Sequence, residues 1–355
     1  MKKENRFIIF IVLLIFILLV VVPILKNNKN AASVGGIGET EILVENLDTP
    51  WAIDFLPSGE MIFTERIGNV NVYNFDEKEK TVIAKIPITE ISESGLAGIA
   101  VDPEFEENNF VYLYYTYENN GIFNRVSRFV FGDNRLADEK VLLDKIPAAR
   151  FHDGGRIKFG PDGKLYVTTG DATVPSTAQD INSIAGKILR MNKDGSIPAD
   201  NPFGSYIFSY GHRNPQGLAW NPEKGIMYAA EHGQTRNDEI NIIEKGKNYG
   251  WPTECDAPSQ YKNPIRCYTE FTLAPSGIVF HKNNLYIAGL RGTRLRKIVL
   301  ADDGKTAIKE EELFADLGRI REVVAHNSYL YLATSNKDGR GIPKLNDDKI
   351  IRIKS

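Results

Sequence analysis

The chain has 355 residues, 42% of them hydrophobic and 25% charged, with a formal net charge of −3 at neutral pH. That balance supports a sizeable hydrophobic core and excludes a disordered polyelectrolyte. The charges are interspersed rather than blocked, so there is no basic footprint for nucleic acid.

From the N-terminus, Lys2, Lys3 and Arg6 precede an unbroken apolar run of 19 residues, Phe7 to Leu25. That length spans a bilayer core, and the preceding cations favour keeping residues 1–6 in the cytoplasm. A cleaved signal would carry a shorter apolar region and a small-residue site directly after it. Here KNNKN follows, and the nearest small residues, Ala31 to Ser33, come late. The pattern favours an uncleaved membrane anchor over a cleaved secretory signal, and either one places the remaining chain outside the cytoplasm. Residues 26–40 (KNNKNAASVGGIGET) are polar and Gly-rich and read as a flexible tether. Residues 41–355 are then the folded domain.

Along that domain one phrase recurs six times: a short alternating apolar run, a turn, and a second apolar run rich in Tyr, Val and Ile. The copies are WAIDFLPSGEMIFTE from Trp51, LAGIAVDPEFEENNFVYLYY from Leu96 and GRIKFGPDGKLYVTTG from Gly155. QGLAWNPEKGIMYAAE follows from Gln216, SGIVFHKNNLYIAG from Ser276 and EVVAHNSYLYLAT from Glu322. A third run follows each copy: GNVNVYNF, RVSRFVF, GKILRMN, DEINIIE, TRLRKIVL and DKIIRIKS. Alternation with period two between Pro, Gly and Asn turns marks strands, and no later stretch sustains a helical apolar stripe. The turns recur at roughly 45–60 residues, one four-stranded unit per repeat. An ordinary sandwich or barrel imposes no such period. The expectation is an all-β, six-bladed β-propeller of four-stranded blades.

In a propeller the first strand of each blade lines the central channel and the second returns beside it. Residues before first strands and after second strands therefore share one face. Before first strands stand Glu93, the segment Phe151 to Arg156, the segment Gly211 to Pro215, and Gly318 to Arg321. After second strands stand Gly170-Asp171, Glu231-His232-Gly233-Gln234 and Leu290-Arg291-Gly292. Three of the five histidines and several arginines thus gather at one end of the axis. His152 enters a Gly-Gly strand that permits close backbone approach by a ligand, and Asp171 is placed to accept a hydrogen bond from its ring. A histidine held by a carboxylate is the arrangement of a general base, while the bland reading is a structural pair. His212 reads more simply as a residue satisfying nearby polar groups. His281 and His326 fall in turns on the opposite face and carry no assigned role. The arginines point to an anionic ligand. The two cysteines, Cys255 and Cys267, share one loop and form a plausible disulfide in an oxidising compartment.

The segments HDGGRIKFGPDGKLYVTTGD, SYGHRNPQGLAW, EHGQTRNDEINIIEKGKNYGWP and GRIREVV resemble the quinoprotein glucose/aldose sugar dehydrogenases, especially the shorter aldose enzymes. These are six-bladed propellers that use pyrroloquinoline quinone (PQQ) and calcium, and the resemblance runs from about residue 43 to the C-terminus. It implies His152 as the base for the C1 hydroxyl of an aldose, with Asp171 orienting it and Arg213 stabilising charge on the quinone oxygen. It further implies that Asn214, Arg291, Arg319 and Arg321, with Glu93 and His232, line the cofactor site. The carbonyls of Gly233 and Gln234 would bind the catalytic calcium, and Glu239 and Tyr249 a second, structural calcium through oxygen ligands. The implied product is a lactone. Gln234 stands where Pro is usual, and His232 and Glu93 stand where the soluble glucose enzyme carries glutamines. Glu93 would place a negative charge near an anionic cofactor. Two other classes stay open: extracellular propeller binding modules, including hedgehog-interacting proteins, and calcium-dependent lactonases, for which few acids converge.

Overall fold

The computed structural model describes residues 38–253, 255 and 260–355. The expected anchor over 7–25, residues 1–6 and most of the tether lie outside them. Among the described residues no helix is long and apolar enough to cross a membrane.

Strand β1 (Thr40–Val44) opens the described chain, and five blades follow it. They are β2–β5 (Pro50–Phe55, Met61–Glu65, Asn69–Asn74, Glu79–Lys85) and β6–β9 (Leu96–Val101, Phe110–Glu118, Ile122–Gly132, Arg135–Pro147). Next come β10–β13 (Ile157–Phe159, Leu165–Thr169, Lys187–Met191, Ile207–Tyr210) and β14–β17 (Pro215–Asn221, Ile226–Glu231, Asp238–Ile243, Arg266–Tyr268). The fifth is β18–β21 (Pro275–His281, Asn284–Gly289, Arg294–Leu300, Ala307–Leu313). The sixth blade takes β22 (Ile320–His326), β23 (Tyr329–Thr334) and β24 (Ile350–Lys354) from the C-terminus and β1 from the N-terminus. Every sheet is four-stranded and antiparallel, as the repeats predict. The first and second strands carry the densest apolar pattern because both of their faces meet neighbouring blades. Ile62, Leu96, Leu113, Leu165 and Val167 are all fully buried there, each worth roughly 1.5–3 kcal/mol.

The closing contact corrects one boundary. Gly38 N–H donates to Lys354 O at 3.0 Å, Thr40 pairs with Ile353, and Arg352 pairs with Glu41 at 2.7 Å. The last residues of the expected tether are therefore part of the sheet, because the sixth blade lacks its fourth strand without them.

The six first strands ring the channel. Its middle is filled rather than open. Trp51 lies between Arg156 (4.5 Å from the ring centroid) and Arg321 (5.6 Å). Arg156 donates to the Gln216 carbonyl at 2.9 Å and pairs with Glu322, and Arg321 donates to Gln216 Oε1 at 2.6 Å. This polar plug separates two mouths. His281 and His326 end their strands toward the far mouth, away from the polar cluster, where His281 bonds Ser355 at 2.8 Å and His326 stacks on Phe55.

Candidate functional site

The other mouth is a cavity of about 510 Å³, lined by residues from loops of several blades: Glu93, Phe151, His152, Arg213, His232, Gly233, Gln234, Asp238, Arg291, Arg319 and Arg340. The topological rule applied to the sequence thus brings its predicted residues together. Asp171, Asn214 and Arg321 are not on this wall and lie behind it.

His152 is held from three directions. Its backbone is left-handed (φ 65°), and its carbonyl passes so close to Gly170 that a Cβ there would sit 1.7 Å from the oxygen, which only glycine permits. Its Nδ1 lies 2.7 Å from Asp171 Oδ1. Asp171, with a side chain 0% exposed, also accepts the Thr173 N–H and, through Oδ2, the Trp251 indole N–H, each at 2.8 Å. Trp251 was not assigned a role from sequence, although it sits in the NYGWP segment. With Nδ1 spent, the ring nitrogen left for a substrate is Nε2, on an imidazole 18% exposed to the cavity.

The neighbouring charges are arranged without a ligand. Burial opposes ionisation of Glu93, but the adjacent His232, the Arg340 guanidinium and the His152 N–H outweigh it and hold the carboxyl at about 2. Burial pushes His232 down to about 3 against the pull of Glu93, with Arg321 and Arg213 reinforcing the fall. At neutral pH an anionic Glu93 therefore stands beside an uncharged imidazole. Burial also lowers Arg213 and brings Arg321 to about 9, so both keep their charge at neutral pH.

Several polar valences are left unspent. Arg213 donates from Nη1 to the His232 carbonyl at 3.3 Å, while its Nε, the Nε2 of His232 and the Nε of Arg321 are buried with no partner. Arg291 is exposed on the rim. Arg319 is already paired with Asp338 at 2.6 Å. Asn214 is fully buried, accepting the Gly154 N–H at 3.0 Å and reaching Glu93 at 3.5 Å, so it braces the His152 loop. His212 bonds Glu231 and Ser209 at 2.8 Å each and is structural, as read from the sequence. Arg340 and Asp338, both after the second strand of the last blade, were missed, although the same positional rule reaches them.

Gly233 and Gln234 sit between this cavity and a small adjoining pocket that also contains Glu231, Glu239 and Tyr249. Burial and the like charge of Glu231 push Glu239 up to about 8. The Tyr249 hydroxyl is consumed, donating to the Ile242 carbonyl and accepting the Glu244 N–H. Among the described residues no three His, Cys, Asp or Glu side chains converge as a metal site. The expected Cys255–Cys267 disulfide is formed.

Fold and site together define a six-bladed propeller with a carboxylate-held histidine at one mouth, and a family model described as Glucose / Sorbosone dehydrogenase matches residues 47–346. The chain belongs to that family. It is 30% identical to the aldose sugar dehydrogenase of Escherichia coli K12 over 84% of this chain and 90% of that one. With quinoprotein glucose dehydrogenase B of Acinetobacter calcoaceticus it shares 34% identity over 60% of this chain and 52% of the other. The PQQ-bound structure of the aldose sugar dehydrogenase of Streptomyces coelicolor superposes with a TM-score of 0.84 at 35% identity, covering 89% of this chain and 98% of its own.

Proposed function

We propose that this protein oxidises the C1 hydroxyl of aldose sugars to lactones, using PQQ and calcium, with His152 as the general base. The observation that carries the reading is the 2.7 Å bond from His152 Nδ1 to the buried Asp171, which leaves Nε2 facing the cavity.

The residues present fit the cofactor. A tricarboxylate needs cations with free donors, and Arg213 and Arg291 supply them, with His232 offering an uncharged ring nitrogen. Arg319 lines the same cavity, but its charge is already answered by Asp338. The carbonyls of Gly233 and Gln234 suit a hard cation, and the buried Glu231 and half-buried Glu239 are two crowded carboxylates whose mutual repulsion a second calcium would relieve. For Tyr249 the carbonyl is the oxygen left to serve. When bound, the quinone supplies a two-electron acceptor for the hydride leaving C1.

The chain's own work is proton handling and electrostatics. Asp171 keeps the proton on Nδ1, so Nε2 presents a lone pair to the sugar hydroxyl. Once Nε2 takes that proton, the fixed carboxylate stabilises the imidazolium. Arg213, pinned over Trp251 at 5.2 Å from its ring, is a preorganised positive charge needing no rearrangement.

The test is sugar-dependent dye reduction by the purified propeller supplied with PQQ and calcium. His152→Ala should lower the rate by about two to four orders of magnitude while PQQ binding persists, whereas Arg213→Ala should weaken both. Near-wild-type turnover in His152→Ala would refute the mechanism. A wild type that binds no PQQ with calcium in excess would favour the binding-module reading.

We also propose that the domain is exported and tethered through Phe7–Leu25. The disulfide supports an oxidising compartment. Strand β1 begins beside Ile353, at the end of the blade remote from the site, so a tether leaving Gly38 would not cross the site mouth. Protease shaving of intact cells tests this, and a domain that stays protected contradicts it.

A further inference from the structure

His152 must adopt a left-handed backbone to reach Asp171, and non-glycine residues rarely do so unless their surroundings hold them. Its carbonyl is held by the Ala172 N–H at 3.2 Å. Its own N–H is received by Glu93 Oε2 at 3.1 Å, across 59 residues of sequence and from a different blade. Glu93 is in turn fixed from a third blade. Arg340 Nη1 lies 2.8 Å from Glu93 Oε1, Arg340 Nη2 donates to Ser92 Oγ at 3.3 Å, and the guanidinium lies 5.1 Å over the ring of Phe151.

We propose that Glu93 is a positioning residue that holds the His152 backbone in register with Asp171, and that Arg340 is its counter-ion, closing a clasp across the mouth between the sixth and second blades. This rests on the reading of His152 as the base. The clasp explains how a carboxylate can stand beside an anionic cofactor: its charge is already neutralised by Arg340, and one of its oxygens is turned to a backbone N–H. The ring is attached to the Cα that Glu93 fixes, so a backbone rotation there carries Nδ1 away from Asp171. Misplacement of a reacting group by an ångström costs about a hundredfold in rate. A glutamine at this position would keep an acceptor for the His152 N–H but would release Arg340 from its ion pair.

The test compares full-length Glu93→Ala, Glu93→Gln and Arg340→Ala with wild type by two readouts. The first needs no cofactor: the hydrogen-bonded Nδ1–H proton of His152 in ¹⁵N-histidine-labelled apoprotein, assigned by its loss in His152→Ala. The second is kcat and KM for sugar at saturating PQQ and calcium. Glu93→Ala should lose or broaden the proton resonance and lower kcat about a hundredfold, with KM changed less than about threefold. Glu93→Gln should restore the resonance and most of kcat. Arg340→Ala should speed exchange of that proton and weaken PQQ affinity about tenfold, one unit of opposing charge having been exposed. A Glu93→Ala protein that keeps both the resonance and wild-type kcat overturns the positioning role. If that variant does not fold, Arg340→Ala decides, because exchange and affinity both at wild-type values would overturn the clasp. A wild type inactive on every aldose sinks the dehydrogenase reading instead, while the apoprotein resonance still judges the clasp.

Discussion

Replacing Asp171 by Asn isolates the orienting carboxylate from everything else in the site, because the two side chains have nearly the same shape. In the native protein the carboxylate accepts three hydrogen bonds: the His152 ring, the Thr173 N–H and the Trp251 indole N–H. An amide has one oxygen. If that oxygen faces Trp251, the NH2 group confronts two donors, His152 Nδ1–H and Thr173 N–H. If it faces His152, the NH2 group confronts the indole N–H. The first arrangement drives the imidazole into the tautomer with its proton on Nε2, which cannot act as a base. The second preserves the tautomer but leaves a buried donor unpaired, at about 1–3 kcal/mol, and loses the counter-charge to the imidazolium, worth about 1.5–3 kcal/mol for a charged hydrogen bond. The second effect acts on the transition state, and together with the tautomer shift it corresponds to a loss of about 10²–10⁴ in kcat. PQQ affinity should change little, since Asp171 does not line the cavity. The assay is steady-state dye reduction beside a PQQ titration. A variant within threefold of wild-type kcat would show that the carboxylate does not set the tautomer, and the reasoning would be wrong.

Asn214→Ala should lower the unfolding free energy by about 1–3 kcal/mol by stranding the buried Gly154 N–H, a shift visible in thermal melts; a tenfold loss of PQQ affinity at unchanged melting temperature would instead put Asn214 on the cofactor. Breaking the Cys255–Cys267 bond by Cys→Ala replacement should cost about 2–4 kcal/mol, read by denaturant titration, and an unchanged midpoint would contradict it. Burial lifts Asp153 to about 7, so the folded state holds its proton more tightly than the unfolded chain. Its contribution is full below about pH 4 and is lost as pH rises through about 7, so wild type should lose stability relative to Asp153→Asn across that window, and parallel pH–stability curves would refute the shift. A chain beginning at Leu47 should melt far lower or aggregate, because β24 loses its outer partner and becomes an open edge, whereas one beginning at Gly38 should fold.

Three strands of every blade were legible because each presents alternating apolar residues to a neighbour on both sides. The fourth strands were not. In β5 only Ile83 of seven residues is buried, and β21 reads Ala-Ile-Lys-Glu-Glu-Glu-Leu, with helix-favouring charges on an outer edge. Such strands are set by the backbone ladder of the strand inside them, which leaves little trace in side-chain pattern. β1 was hidden for a different reason: it completes a sheet whose other members lie some three hundred residues later, and its first residue, Thr40, reads as the end of the tether. Position within the repeat gathered His152, Arg213, His232 and Arg291 at one cavity and Asp171 just behind it, because a propeller converts place in the repeat into place on a face. It could not reveal Trp251 on Asp171 or Arg340 on Glu93, contacts made by loops whose length and path no repeat dictates.

The arginine count at the mouth overstates what a ligand can reach, and the structure shows why. Arg319 answers to Asp338, Arg340 to Glu93, and Arg321 to Gln216 and Ser276 within the plug. Arg319 and Arg340 are thus neutralised by carboxylates of the protein, while Arg321 keeps an unpartnered Nε but lies behind the cavity wall. What remains for an incoming anion is the exposed Arg291, the unpartnered edge of Arg213 and the uncharged Nε2 of His232. These three come from three separate loops, one leading into the fourth blade, one within it and one in the fifth, and converge on the cavity that holds His152. The paired arginines and Asn214 act one step back, fixing the loops that carry the free groups. A site of this kind is preorganised by charges that never touch the substrate, so its specificity depends on bracing residues as much as on contacts. Sequence motifs record both sets alike, and only the hydrogen-bond partners tell them apart.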